Sequence, residues 1–168
     1  MRISIPAAVL ILGTLSLLSV GRNALWHESI ALWNDARLKS PAKERPYANL
    51  GILYAERGDF ARAISLYQHA LILNPRSVET LVNLGNAYDN IGRGDAAREI
   101  YLKAIEINPQ YAKVYYNLGV LFDRKGNLRA AIEQYQKALL FDPGYAKPKM
   151  RIAELYAALP ELRRQVGK

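Results

Sequence analysis

Apolar and small residues recur along this chain in steps of three and four, and the whole pattern recurs every 34 residues. Three consecutive copies, residues 44–77, 78–111 and 112–145, align without a gap. In register they superpose Leu50, Leu84 and Leu118, then Gly51, Gly85 and Gly119, then Tyr54, Tyr88 and Phe122. The second halves superpose Ala63, Ala97 and Ala131, then Tyr67, Tyr101 and Tyr135, then Ala70, Ala104 and Ala138, closing on Pro75, Pro109 and Pro143. Tyr47, Leu50, Gly51 and Tyr54 share one face of a helix, because residues three and four apart stack on one side. Each copy therefore predicts a helix, a turn and an antiparallel second helix. Gly51 is expected to meet Ala70 where the two helices approach closely. The turns fall at Gly58-Asp59, at Gly92 with Gly94-Asp95, and at Gly126-Asn127, where glycine adopts the positive φ that ends a helix. Asn74-Pro75, Asn108-Pro109 and Asp142-Pro143 stop the second helices, since proline biases its predecessor out of the helical region. One hairpin alone leaves apolar faces open, so neighbouring copies must stack.

The flanks extend the pattern in both directions. Residues 3–20 contain no charged side chain. As a helix they would span roughly 27 Å, close to a hydrocarbon core of about 30 Å, and they exceed the roughly 7 to 15 apolar residues of a secretory signal. Residues 1–21 are therefore predicted to form a transmembrane anchor, which makes the chain a single-pass membrane protein. Ser19-Val20-Gly21 also offers the small residues of a cleavage site, which gives a secreted product as the alternative. An amino-terminal signal-anchor places the repeats on the extracytoplasmic, periplasmic side, whereas Arg22, Arg37 and Lys39 favour a cytoplasmic one. Residues 22–43 read as a degenerate half-repeat: matching Pro41 to Pro75 puts Trp33 on Tyr67 and Ala36 on Ala70. Trp33 is expected in the core, and Trp26 either in the core or at a membrane interface. After the third copy, Ile152, Ala153 and Tyr156 fall on the Leu, Gly and Tyr columns. Residues 146–168 thus predict a capping helix, interrupted at Pro160, and a basic tail.

The Leu-Gly-x2-Tyr, Ala-x3-aromatic and terminal Pro spacing resembles the tetratricopeptide repeat. Leu81 stands where the first and third copies have Tyr47 and Tyr115. The resemblance implies an all-α solenoid whose first helices line a concave surface. The juxtamembrane wording, Arg-Asn-x2-Trp followed by Leu-Trp-x-Asp, Lys-Ser-Pro and the first Asn-Leu-Gly, also resembles the last membrane helix and carboxy-terminal repeats of bacterial membrane proteins related to the protein mannosyltransferases. That likeness implies repeats on the outer face of a membrane and a catalytic part elsewhere.

Composition narrows the function classes. The chain carries 23 basic and 15 acidic residues, a formal net charge of +8. The excess lies in the tail, at Lys147, Lys149, Arg151, Arg163, Arg164 and Lys168, while residues 42–143 are nearly balanced. No stripe of basic and stacking residues runs along a face, so a nucleic-acid partner is not expected. Absence of cysteine excludes disulfides, thiolate metal sites and a cysteine nucleophile. His27 and His69 lie in separate segments, and Gly92, Gly94 and Asp95 have neither the preceding strand nor the Gly-Lys-Ser/Thr of a phosphate loop. Neither a catalytic centre, a metal site nor a cofactor is expected.

The implied groove holds the candidate binding residues. Asn49, Asn83 and Asn117 recur immediately before the Leu-Gly pair. Asparagine both donates and accepts, so such a ladder can hold an extended peptide backbone, or it can satisfy backbone groups within the solenoid. Asn86, Lys113, Tyr116 and Arg124 are expected on the same face. Repeat families that grip a terminal carboxylate use a Lys and Asn, then an Asn, then a Lys and Arg. Asn86, Asn117, Lys147 and Arg151 match four of those positions, and Val82 replaces the leading Lys. The expected function is a membrane-anchored protein-interaction scaffold holding a partner segment in the groove. The alternatives are an accessory carboxy-terminal piece of a membrane glycosyltransferase and a self-assembling oligomer with a second copy as partner.

Overall fold

A computed structural model describes residues 23–161. Residues 23–39 form α1, followed by α2 (Glu44–Glu56), α3 (Phe60–Leu73), α4 (Val78–Asn90), α5 (Gly94–Ile107), α6 (Ala112–Arg124), α7 (Leu128–Phe141) and α8 (Ala146–Ala158). The pairs α2/α3, α4/α5 and α6/α7 pack together as hairpins, and α3 against α4, α5 against α6 and α7 against α8 join them into a stack.

The turns within the hairpins rest on one backbone requirement. Gly58, Gly92 and Gly126 have φ of 78°, 78° and 76°, a region in which a side chain is strained. Gly94, expected in the turn, is instead the first residue of α5, and a Cβ there would stand 3.0 Å from Leu121. Asp59 and Asn127 then cap the second helices by accepting from the backbone N–H of Arg62 and Ala130. Arg93 occupies the same place before α5 and offers no acceptor.

The core repeats with the sequence. Tyr67, Tyr101 and Tyr135 are at most 2% exposed. A Cβ added to Gly51, Gly85 or Gly119 would sit 2.4 to 2.5 Å from the ring carbons of these tyrosines, so each glycine makes room for a ring lying on the first helix. Gly51 therefore faces Tyr67, not Ala70 as expected. Two further columns seal one hairpin on the next. One is Pro46, Thr80, Val114 and Pro148, and the other is Ala87, Leu121 and Leu155, all buried. In α8 this means that Pro148 and Leu155 are buried, while Ile152 and Tyr156 are half-buried and Ala153 is exposed. Thr80, polar in a buried place, donates to Glu44 Oε1 at 2.7 Å, beside the Ser77 hydroxyl at 2.8 Å. The starting aromatics tie down the preceding loop: Tyr47 donates to the Pro41 carbonyl and Tyr115 to that of Pro109. Leu81 has no hydroxyl with which to do so.

The single-pass membrane location is corrected. Among the described residues no helix is long and apolar enough to cross a membrane. Helices α2 to α8 have 13 or 14 residues, about 20 Å at ~1.5 Å per residue, and each sets an apolar face against its neighbours and a polar face outward. The expected transmembrane segment, residues 3–20, lies outside the described residues.

Candidate functional site

The first helices of successive hairpins are neighbours, α2 touching α4 and α4 touching α6. Their shared face is indented at two places. The amino-terminal recess, about 330 Å³, has a floor of Ile52, Ala55, Phe60 and Ala87. Its polar lining comes from Glu56, Asn83, Asn86 and Asn90, with Tyr67 at the back. The carboxy-terminal recess, about 440 Å³, is bounded by Tyr116, Val120, Asp123, Arg124, Tyr135 and Arg151.

The three repeat tyrosines end differently at these recesses. Tyr101 donates its hydroxyl to Asn86 Oδ1 at 2.6 Å, and Tyr135 donates to Asp123 Oδ2 at 3.1 Å. The positions equivalent to those acceptors in the first copy are Ile52 and Ala55. Tyr67 accordingly has no hydrogen-bond partner among the described residues, and its ring lines the open recess. Burial raises the phenol pKa at all three tyrosines; the charge of Glu56 raises Tyr67 further, as that of Asp89 does Tyr101 and that of Asp123 does Tyr135.

The cations of the second recess are engaged internally. Arg151 makes a two-pronged contact with Asp123, at 2.6 Å and 3.0 Å, and reaches Glu154 at 2.9 Å. The hydrogen bond from Arg151 holds the Asp123 carboxyl below the usual carboxylate range, and the Asp123 and Glu154 carboxylates push the guanidinium pKa up. Arg124 pairs with Asp89 at 2.5 Å, bridging α6 to α4. Both arginines expected to meet a ligand thus already hold a carboxylate of the chain itself.

The remaining residues divide as follows. Asn83 and Asn86 share the first recess, whereas Tyr116, Arg124 and Arg151 share the second. Tyr116 packs on Tyr135 and Tyr145. Lys113 lies apart, in a depression with Tyr111, Phe141 and Tyr145. Lys147 is exposed and makes no ion pair among the described residues, and Asn49 is half-buried outside both recesses. Asn117 keeps a buried Nδ2 without a hydrogen-bond partner. Of the four carboxylate-grip positions, therefore, Asn86 holds a tyrosine and Arg151 an aspartate. Reading the sequence missed Glu56, Asn90, Asp89 and Asp123 on this face. The signal available was the Ala55, Asp89, Asp123 column, one small residue followed by two acids at 34-residue spacing.

A stack of helical hairpins whose first helices present shallow, polar-rimmed recesses is a repeat protein that works through its surface. Two family profiles, each described as tetratricopeptide repeat, match residues 54–119 and 112–145, together spanning 54–145. The chain belongs to the tetratricopeptide-repeat proteins. Among solved structures it is similar to a crystal structure of MamA, at 25% identity and a TM-score of 0.70, covering 99% of this chain and 90% of that one. A second MamA structure aligns at 27% identity and a TM-score of 0.69, covering 86% of this chain and 79% of that one. The first repeat domain of Spaghetti (RPAP3), bound to the HSP90 peptide SRMEEVD, shares the fold at 21% identity and a TM-score of 0.64, over 70% of this chain and 94% of that one. No curated protein matches the chain. None of these matches carries the likeness to mannosyltransferase-related proteins.

Proposed function

We propose that this chain is a protein-interaction scaffold that holds an extended segment of a partner protein along the face of its first helices. The observation that carries the reading is the unused hydrogen-bonding capacity in the first recess: the hydroxyl of Tyr67, which has no partner among the described residues, and the amide of Asn83 beside it. Extended backbone offers donors and acceptors at regular spacing, which such groups match without demanding one sequence. The repeat neighbour whose structure contains a bound peptide shares this fold. The same scaffold serves many unrelated tasks, so the site and not the fold identifies the activity.

The test is capture of a partner from the native cell by the chain, by its Asn83→Ala/Asn117→Ala form, and by a control altered on the exposed side of α5, Lys103→Ala. Loss with the paired asparagine changes and retention with the control supports the groove as the working surface. A partner retained by the asparagine variant and lost by the control contradicts it.

A further inference from the structure

Within that reading, on which this inference rests, the two recesses do not accept the same chemistry. We propose that the amino-terminal recess takes a cationic side chain, a lysine or arginine of the partner segment, with its charged head between Glu56 and the Tyr67 hydroxyl and its stem on Ile52, Ala55 and Phe60.

Three observations converge on this. First, Glu56 is exposed and makes no ion pair among the described residues, whereas the two other carboxylates on this face are paired: Asp89 holds Arg124 and Asp123 holds Arg151. The cation next to it in sequence, Arg57, shares with Glu56 a separate depression against α1 but makes no ion pair with it, its guanidinium lying 4.4 Å from the centre of the Trp26 ring and hydrogen-bonded to Asn23. Second, Tyr67 alone of the three repeat tyrosines has no internal acceptor among the described residues, so its oxygen is available to an incoming N–H. Third, the remaining rim carries no charge and includes a free acceptor. Asn90 donates through Nδ2 to the Asn86 carbonyl, which leaves its Oδ1 free, and no basic residue lines the recess. An apolar floor with a carboxylate and neutral oxygens at its edge fits a long aliphatic stem carrying an ammonium or guanidinium, since such side chains bury the stem and keep the head at a polar rim. An anionic side chain would meet Glu56 with no compensating cation.

The experiment uses the full chain and three pools of fluorescein-labelled eleven-residue peptides, with Lys, Gln or Glu fixed at the centre and only uncharged residues elsewhere, read by fluorescence anisotropy. The Lys pool is expected to bind about fivefold more tightly than the Gln pool, the range of one solvent-accessible ion pair. That preference runs against the chain's net charge of +8, so general attraction does not produce it. Glu56→Gln should abolish the preference. Tyr67→Phe, which keeps the ring against Gly51, should reduce it about twofold. Preference for the Glu pool, no preference, or a Lys preference that survives Glu56→Gln overturns the inference. If the Gln pool binds and is lost with Asn83→Ala/Asn117→Ala in any of those cases, the groove reading stands without it. Binding of no pool overturns both.

Discussion

The first and third repeats are built on the same tyrosine, lying on the same glycine, yet they leave opposite surfaces. In the third, Tyr135, Asp123 and Arg151 satisfy one another across α6, α7 and α8. In the first, Ile52 and Ala55 stand at the acceptor positions, so Tyr67 keeps its hydroxyl for the recess, and Glu56 beside it forms no ion pair among the described residues. The ring is a packing device common to every copy, and the hydroxyl is a separate variable set by residues 12 and 15 positions upstream. One end of the face is thus closed by its own charges and the other is open. A repeat protein can keep its core columns fixed while varying the chemistry of each recess.

Removing the shared device should erase the difference. Tyr67→Ala and Tyr135→Ala are each expected to cost about 4 kcal/mol of stability, because a fully buried aromatic is lost beside a glycine that cannot fill the space. Chemical denaturation measures both. Removing only the hydroxyl should expose the difference. Tyr101→Phe and Tyr135→Phe are expected to lose about 1 kcal/mol, the net worth of one hydrogen bond, while Tyr67→Phe should be neutral to within a few tenths of that figure. Equal losses at all three positions would remove the distinction drawn between the recesses.

Acid offers a third, smaller contrast. The carboxyl of Asp123 is held below its ordinary value of 3.8, chiefly by the hydrogen bond from Arg151, so the folded chain binds that proton more weakly than the unfolded one. Its contribution is complete above the ordinary value and is lost as pH falls through the lowered one. The protection of α8 amides against hydrogen exchange, relative to their intrinsic rates at each pH, should therefore fall below about pH 3.8 in the native chain, and Asp123→Asn should already be less protected at neutral pH with a flatter acid response. The smallest effect is a gain. Arg93→Asp supplies the missing acceptor at the start of α5, worth about 1 kcal/mol, against the loss of the Arg93 guanidinium 5.3 Å from the Tyr88 ring centre. A net rise of about 0.5 kcal/mol in thermal or chemical denaturation is expected.

Most of the architecture was legible because it is repeated. Helices, turn glycines and the tyrosine and glycine columns each appear three times at one spacing, and that agreement identifies them. What a single reading by column did not reveal was mutual satisfaction. Arg124 and Arg151 look like free cations until Asp89, 35 residues away, and Asp123, 28 residues away, are brought beside them. Likewise Asn86 looks like a ligand-binding amide until Tyr101 reaches it. The sealing columns at Thr80 and Leu155 were overlooked for a related reason: they vary in residue type between copies, so only contact identifies them. Gly94 misled in the other direction, as a glycine retained for room beside Leu121 and not for a turn.

The central claim is that the open recess between α2 and α4 is where a partner segment docks. The most direct measurement is mapping of backbone amide shifts in the isotope-labelled full chain on titration with the lysine-centred peptide pool. The account predicts shifts concentrated at Ile52, Ala55, Asn83, Asn86 and Asn90, with little change at exposed positions of the second helices such as Lys103 and Lys137. Shifts concentrated on those second helices, with the recess silent, would contradict it.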